Sequence, residues 1–190
     1  MDLHTWLIEA HRDARARLMG AVVSKVPTDR WAEQADGGGS SLTWILLHTA
    51  RHHDLALNTA IRNGSPLFAS HREALGLTSA GASVGLAERE HEATTALVSP
   101  DALKQYLTEV LDAGDEWLAD LSIQALDTVP DTERRLLTLA HIDPVEYDWL
   151  VAMWNTRPVH WLVQWPILGH LHSHIGEAIA VRNRLGYNPF

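Results

Sequence analysis

The sequence predicts an all-α protein: a four-helix bundle with one long crossover connection. Four long segments repeat their apolar residues at steps of three and four, the helical period. Runs that alternate apolar and polar residues, as half-buried strands do, are nearly absent. The segments start and stop at capping residues, glycines and prolines, and short or irregular connections join them, which suits helices packed side by side. At 190 residues the chain reads as a single domain over 1–190, a length that buries about 70% of the unfolded surface.

Residues 3–24 place Leu3, Trp6, Leu7, Ala10, Ala14, Leu18, Ala21 and Val22 on one stripe, with Arg12, Asp13, Arg15 and Arg17 as a solvated face, and Pro27 ends the element. The link ADGGGSS at 35–41 supplies Ser40 or Ser41 as N-cap of a second helix, which Asn63-Gly64 stops. Residues 64–87 are small and Gly-rich and read as the crossover, a plain connector in preference to a lid over the pocket, with a short helix around His71–Leu75. Glu88-x-x-His91 has the spacing of di-iron carboxylate bundles, but no second E-x-x-H accompanies it, so it reads as a solvated charge run.

Ser99-Pro100 pairs an N-cap with proline at the first helical position and opens a third helix to about Leu121. Leu103, Tyr106, Leu107, Val110, Leu111, Trp117 and Leu118 form its core stripe. Residues 122–133 read as a loop with extended character, followed by a shorter helix around Glu133–His141. Asp143-Pro144 opens a helix over about 144–155 with Tyr147, Leu150, Val151 and Trp154 inward. The last helix either starts at Pro166 or begins near Val159 and is kinked there, and Gly186 closes it.

Composition narrows the function. The net charge of −9, with no clustered bases, argues against a nucleic-acid partner and against anionic membrane surfaces. No apolar run approaches the ~20 residues of a membrane span, and the amphipathic N-terminus lacks a signal peptide's apolar stretch. The absence of cysteine removes disulfides, thiolate ligands and a cysteine nucleophile together, and it fits a reducing cytoplasm. Any sulfur chemistry must come from a bound partner. The apolar, Trp-rich stretch 149–165 suits either a homodimer interface or internal packing.

Twelve histidines and eight tryptophans stand out. His170 and His174 lie one helical turn apart, on a stripe shared with Val163, Ile167, Glu177 and Val181, while His172 points away. His48 and His52 repeat that spacing on the second helix, among Trp44, Ile45, Leu55 and Thr59, with His53 on the far side. Two H-x-x-x-H pairs on separate helices point to one shared metal site better than to two accidents. Neutral imidazoles without thiolates favour Zn²⁺, Ni²⁺, Fe²⁺ or Co²⁺ over Mg²⁺ or Ca²⁺. His4, His11, His53, His71, His141, His160 and His172 read as surface or packing residues.

With WILLHTARHHD at 44–54 and GHLHSHIGEAIAVRNRLG at 169–186, the chain resembles the DinB/YfiT-like metalloprotein superfamily, which also includes mycothiol-dependent maleylpyruvate isomerase and bacterial thiol S-transferases. That pattern has one histidine early in the second helix of a four-helix bundle, then a C-terminal H-x-x-x-H-R-G-Q and a Leu-Gly end. The resemblance implies a DinB-like bundle whose metal ligands match His48, His170 and His174. It departs where Ile175 and Glu177 replace the arginine and glutamine around the retained Gly176. Glu177, on the ligand face, is left as a hydrogen-bond acceptor for a histidine N–H or as a base, and His52 as a supporting residue, a fourth ligand or a bystander; these two are the candidate catalytic residues.

The resemblance further implies a divalent metal, Zn or Ni foremost, that activates a low-molecular-weight thiol such as mycothiol for transfer or isomerisation on a small electrophilic substrate. Two other readings stay open: a hydrolase using metal-bound hydroxide, and a non-catalytic, stress-associated binding or dimerisation module.

Overall fold

A computed structural model describes residues 1–87 and 94–188, so Glu88-x-x-His91 lies outside the described residues. Among the described residues the chain is helical, with no strand. Helix α1 (Leu3–Leu18) starts where the Asp2 carboxylate accepts the Thr5 N–H, and it continues through a wider π-helical turn at Met19–Val23. Ser41 caps α2 (Leu42–Asp54) through the Trp44 N–H at 3.2 Å, and π-helical turns at Leu55–Ile61 extend it. A short α3 (Phe68–His71) interrupts the crossover. Ser99 and Pro100 open α4 (Pro100–Ala119).

Three short helices follow: α5 (Thr132–Leu139), α6 (Asp148–Trp154) and α7 (Val159–Leu162). The π-helical stretch Val163–Gly169, which holds Pro166, joins α7 to α8 (His170–Arg184). The last helix therefore begins near Val159 rather than at Pro166. At its end Gly186 sits at φ +89, with its N–H on Asn183 O and the Tyr187 N–H on Arg182 O, a Schellman closure.

Helix α2 packs against α4 and α8, and α1 packs against the same two, while α5 and α7 lie on the Leu55–Ile61 turns. Every residue of α2 is buried, including Arg51, His52, His53 and Asp54. The apolar interior falls into two clusters, and each long helix contributes to both. Leu46, Leu107, Leu18 and Ile175 belong to one, and Leu57, Leu118, Leu7 and Ile167 to the other. Between these clusters the same helices carry His48 to Asp54, Gly114, His11, and His170 with His174. A polar level thus crosses the molecule between two apolar ones. No helix among the described residues is long and apolar enough to cross a membrane.

Several elements differ from expectation, two of them through hydrogen bonds to buried or capping carboxylates. Residues 123–127 form a 3₁₀ turn instead of extended chain. Helix α6, expected over about 144–155, starts at Asp148, because the Asp143 carboxylate accepts the Val145 and Glu146 N–H groups and closes a separate turn before it. The short crossover helix starts at Phe68, where buried Asp54 accepts the Leu67 and Phe68 N–H groups at 3.0 and 2.9 Å. Leu3 and Trp6, placed on the apolar stripe of α1, are half exposed, at 50% and 49%.

Candidate metal centre

Four imidazoles meet in the polar level where α2 faces α8. The rings of His48 and His52 lie 4.6 Å apart, and those of His170 and His174 lie 4.4 Å apart. Across the two helices, His48 stands 4.9 Å from both His170 and His174, and His52 stands 4.5 Å from His170. Donor nitrogens of His48, His52 and His170 all come within 4.8 Å of one another. His174 adjoins that trio through its Nε2, 3.2 Å from His170 Nε2.

Hydrogen bonds assign the protons. His48 Nδ1 faces the Gly85 carbonyl at 2.9 Å, and His52 Nε2 faces the Leu86 carbonyl at 3.3 Å. A carbonyl only accepts, so each of those nitrogens carries the proton and the opposite nitrogen keeps its lone pair. His174 Nδ1 lies 2.8 Å from a Glu177 carboxylate oxygen, which likewise leaves His174 Nε2 as an acceptor. Carbonyl or carboxylate partners behind imidazoles are the arrangement that orients metal-binding histidines. The Nδ1 of His170 is buried without a hydrogen-bond partner among the described residues.

The electrostatics keep His48, His52 and His170 neutral. Burial, then the neighbouring His174, holds His48 down to about 4, and burial with His174 and His48 holds His170 down to about 2. Burial pushes His52 far below the ordinary imidazole value as well. The bond from His174, aided by Ser40, keeps the Glu177 carboxyl below its usual range. Several imidazole lone pairs beside one carboxylate form a donor set suited to a borderline divalent transition metal.

The crossover proves to be part of the site rather than a plain connector. Gly85 has φ +84, a conformation open to glycine, and a Cβ there would meet Arg51 Cγ at 3.1 Å and Leu47 Cγ at 3.2 Å. That backbone aims the carbonyl at His48. Buried Arg51 holds the preceding residues in place by donating to Val84 O at 3.0 Å and Ala82 O at 2.5 Å, and it stacks over Phe68 at 3.7 Å. Sequence reading missed Arg51, Gly85 and Leu86 as supports. An arginine within the histidine-bearing stretch of α2 was the available signal.

Beside the histidines lies a pocket of about 570 Å³, walled chiefly by Leu86, Trp149, Met153, Trp154, Trp165 and Pro166. Trp165 comes from the π-helical stretch, whose wider turn accommodates Pro166. Gly169 leaves room for the indole, since a Cβ there would sit 3.1 Å from Trp165 Cε3 and 2.9 Å from Gln164 O.

Of the residues singled out from sequence, His48, His52, His170, His174 and Glu177 are all brought together. His53 and His11 instead form a separate buried pair, with rings 5.2 Å apart, and Asp115 accepts from His11 Nδ1 at 2.8 Å. His71 is buried and contacts Glu109 at 2.8 Å.

No family model and no curated protein matches the chain. It is similar in fold to the crystal structure of a conserved protein from Enterococcus faecalis, with a TM-score of 0.72 at 18% identity, covering 99% of this chain and 99% of that one. At that identity the likeness speaks for the fold alone.

Proposed function

We propose that the chain is a DinB-like four-helix bundle and a metal-dependent enzyme, with His48, His170 and His174 holding a divalent cation, Zn²⁺ or Ni²⁺ foremost. The observation that carries this reading is the convergence of imidazole lone pairs whose protons are directed outward to Gly85, Leu86 and Glu177. Two nitrogens on one tetrahedral ion stand about 3.3 Å apart, close to the 3.2 Å between the Nε2 atoms of His170 and His174. The backing carboxylate of Glu177 favours His174 as the third ligand. The nitrogen trio of His48, His52 and His170 supports a second assignment in which His52 takes that place.

A cation held by three imidazoles would lower the pKa of a water or thiol bound beside it. The chain has no cysteine, so a thiol would come from a low-molecular-weight cosubstrate, and the reading we favour is thiol-dependent transfer or isomerisation on a small electrophile. His52 would then face the reacting side, with Nε2–H fixed on Leu86 and Nδ1 able to accept a proton. Glu177 would orient His174.

Elemental analysis of protein purified without a histidine tag tests the metal, and turnover with and without added thiol tests the chemistry. About one metal per chain, lost in His48→Ala together with thiol-dependent turnover, is the expected result. Turnover without thiol would move the reading to hydrolysis, and a metal-free protein that folds normally would reject both. Comparing His174→Ala with His52→Ala identifies the third ligand, since only its loss abolishes binding.

A further inference from the structure

We infer that the pocket beside the histidines takes an uncharged, flat apolar molecule, an aromatic ring carrying a single polar atom. This rests on reading that pocket as the substrate side of the metal centre. About 570 Å³ is ample for a one- or two-ring compound and falls in the range of small-molecule sites.

The walls set the chemistry. Among the described residues, no lysine, arginine, aspartate or glutamate lines the pocket, and outside the histidines its side chains are apolar apart from Ser173. The Ser173 hydroxyl already donates to Gly169 O at 3.0 Å, so toward a ligand it offers lone pairs. A carboxylate or phosphate would leave water without finding a lysine or arginine side chain among the described residues, a costly transfer. An uncharged ring loses no such hydration and gains contact with indole.

Trp149 and Trp165 are the residues built for that contact. They remain 36% and 42% exposed, whereas Trp154 at the same pocket is 1% exposed and belongs to the core. Their rings stand 6.4 Å from His52 and 6.1 Å from His170, one beside each helix of the histidine cluster. Two large indoles left in water around a concavity form an apolar mouth. A ring seated there would direct its polar atom to the imidazole end.

Calorimetric titration of the full chain with 2-naphthol and with 2-naphthoate tests the inference, in chelator and again with one equivalent of Zn²⁺. In chelator, 2-naphthol is expected to bind about tenfold more tightly than 2-naphthoate, because only the acid must shed a charge. Replacing both Trp149 and Trp165 by Ala is expected to weaken 2-naphthol about tenfold through lost ring contacts, with the melting temperature showing that the fold persists. Equal or tighter binding of 2-naphthoate in chelator, full affinity in the double variant, or no binding of either compound would overturn the inference. Metal content is read separately. A protein that binds no metal but prefers 2-naphthol refutes the metal reading alone, and one that holds metal but prefers 2-naphthoate refutes this inference alone.

Discussion

His48, His52, His170 and His174 on one side of α2, and His11 with His53 on another, are buried imidazole clusters at the same level of the molecule. Their surroundings differ. The first cluster opens on a pocket and has three ring protons committed to Gly85 O, Leu86 O and Glu177. The second is packed against Gly114, where an added Cβ would lie 2.6 Å from His11 Nε2 and 2.9 Å from His53 Nε2. Among the described residues only His11 Nδ1 has a partner there, Asp115, and neither nitrogen of His53 has one. Access and outward-directed protons, rather than the count of histidines, separate a site that can bind from a pair that fills space.

Acid and metal together give the largest effect. Burial lowers the folded-state values of His48, His52, His170, His53 and His11, so between pH 6.5 and those values the unfolded chain binds more protons than the folded one. Stability is then full above pH 6.5 and falls with acid, by about 1.4 kcal/mol per pH unit for each such group. Denaturant melts of chelator-treated protein at pH 7.5 and 5.5 should differ by several kcal/mol on this slope. Saturating Zn²⁺ should raise stability at both pH values by binding the open cluster of the folded chain and leave this acid loss in place, because His48, His52 and His170 are already unprotonated there without metal. Stabilisation by Zn²⁺ that persists in His48→Ala would erase the distinction.

His48→Ala should next lower metal affinity by about a hundredfold or more, beyond the 10- to 100-fold typical of supporting partners, whereas His53→Leu should leave affinity unchanged. Equilibrium dialysis against a chelator buffer measures both. Gly114→Ala, acting on the closed pair, should cost about 1–3 kcal/mol of stability through overpacking and spare metal affinity. Glu177→Ala should weaken metal about tenfold by freeing the His174 proton, with little change in melting temperature. His53→Leu is the smallest effect: removing an unpartnered buried polar ring should change stability by about 1 kcal/mol or less.

Helical period, caps and breakers made α1, α2, α4 and the end of α8 legible in the sequence, because each depends on residues within a turn or two. Histidine spacing likewise brought His48, His52, His170 and His174 to one place on paper. What could not be read was set by distant partners. Asp54 fixes the start of α3, Arg51 and Gly85 bring the crossover carbonyls onto the histidines, and the π-helical stretch Val163–Gly169 carries Trp165 to the pocket. None of these leaves a periodic trace. Which of the surface-or-packing histidines are packed inside could not be read for a related reason, since the room His11 and His53 occupy is created by a glycine on another helix.

X-ray absorption at the metal edge of the Zn²⁺- or Ni²⁺-loaded protein addresses the metal centre most directly. The account predicts nitrogen neighbours at about 2.0–2.1 Å, with outer-shell scattering from at least three imidazoles and no sulfur in the protein alone. A shell of oxygens only, or scattering from fewer than two imidazoles, would contradict it.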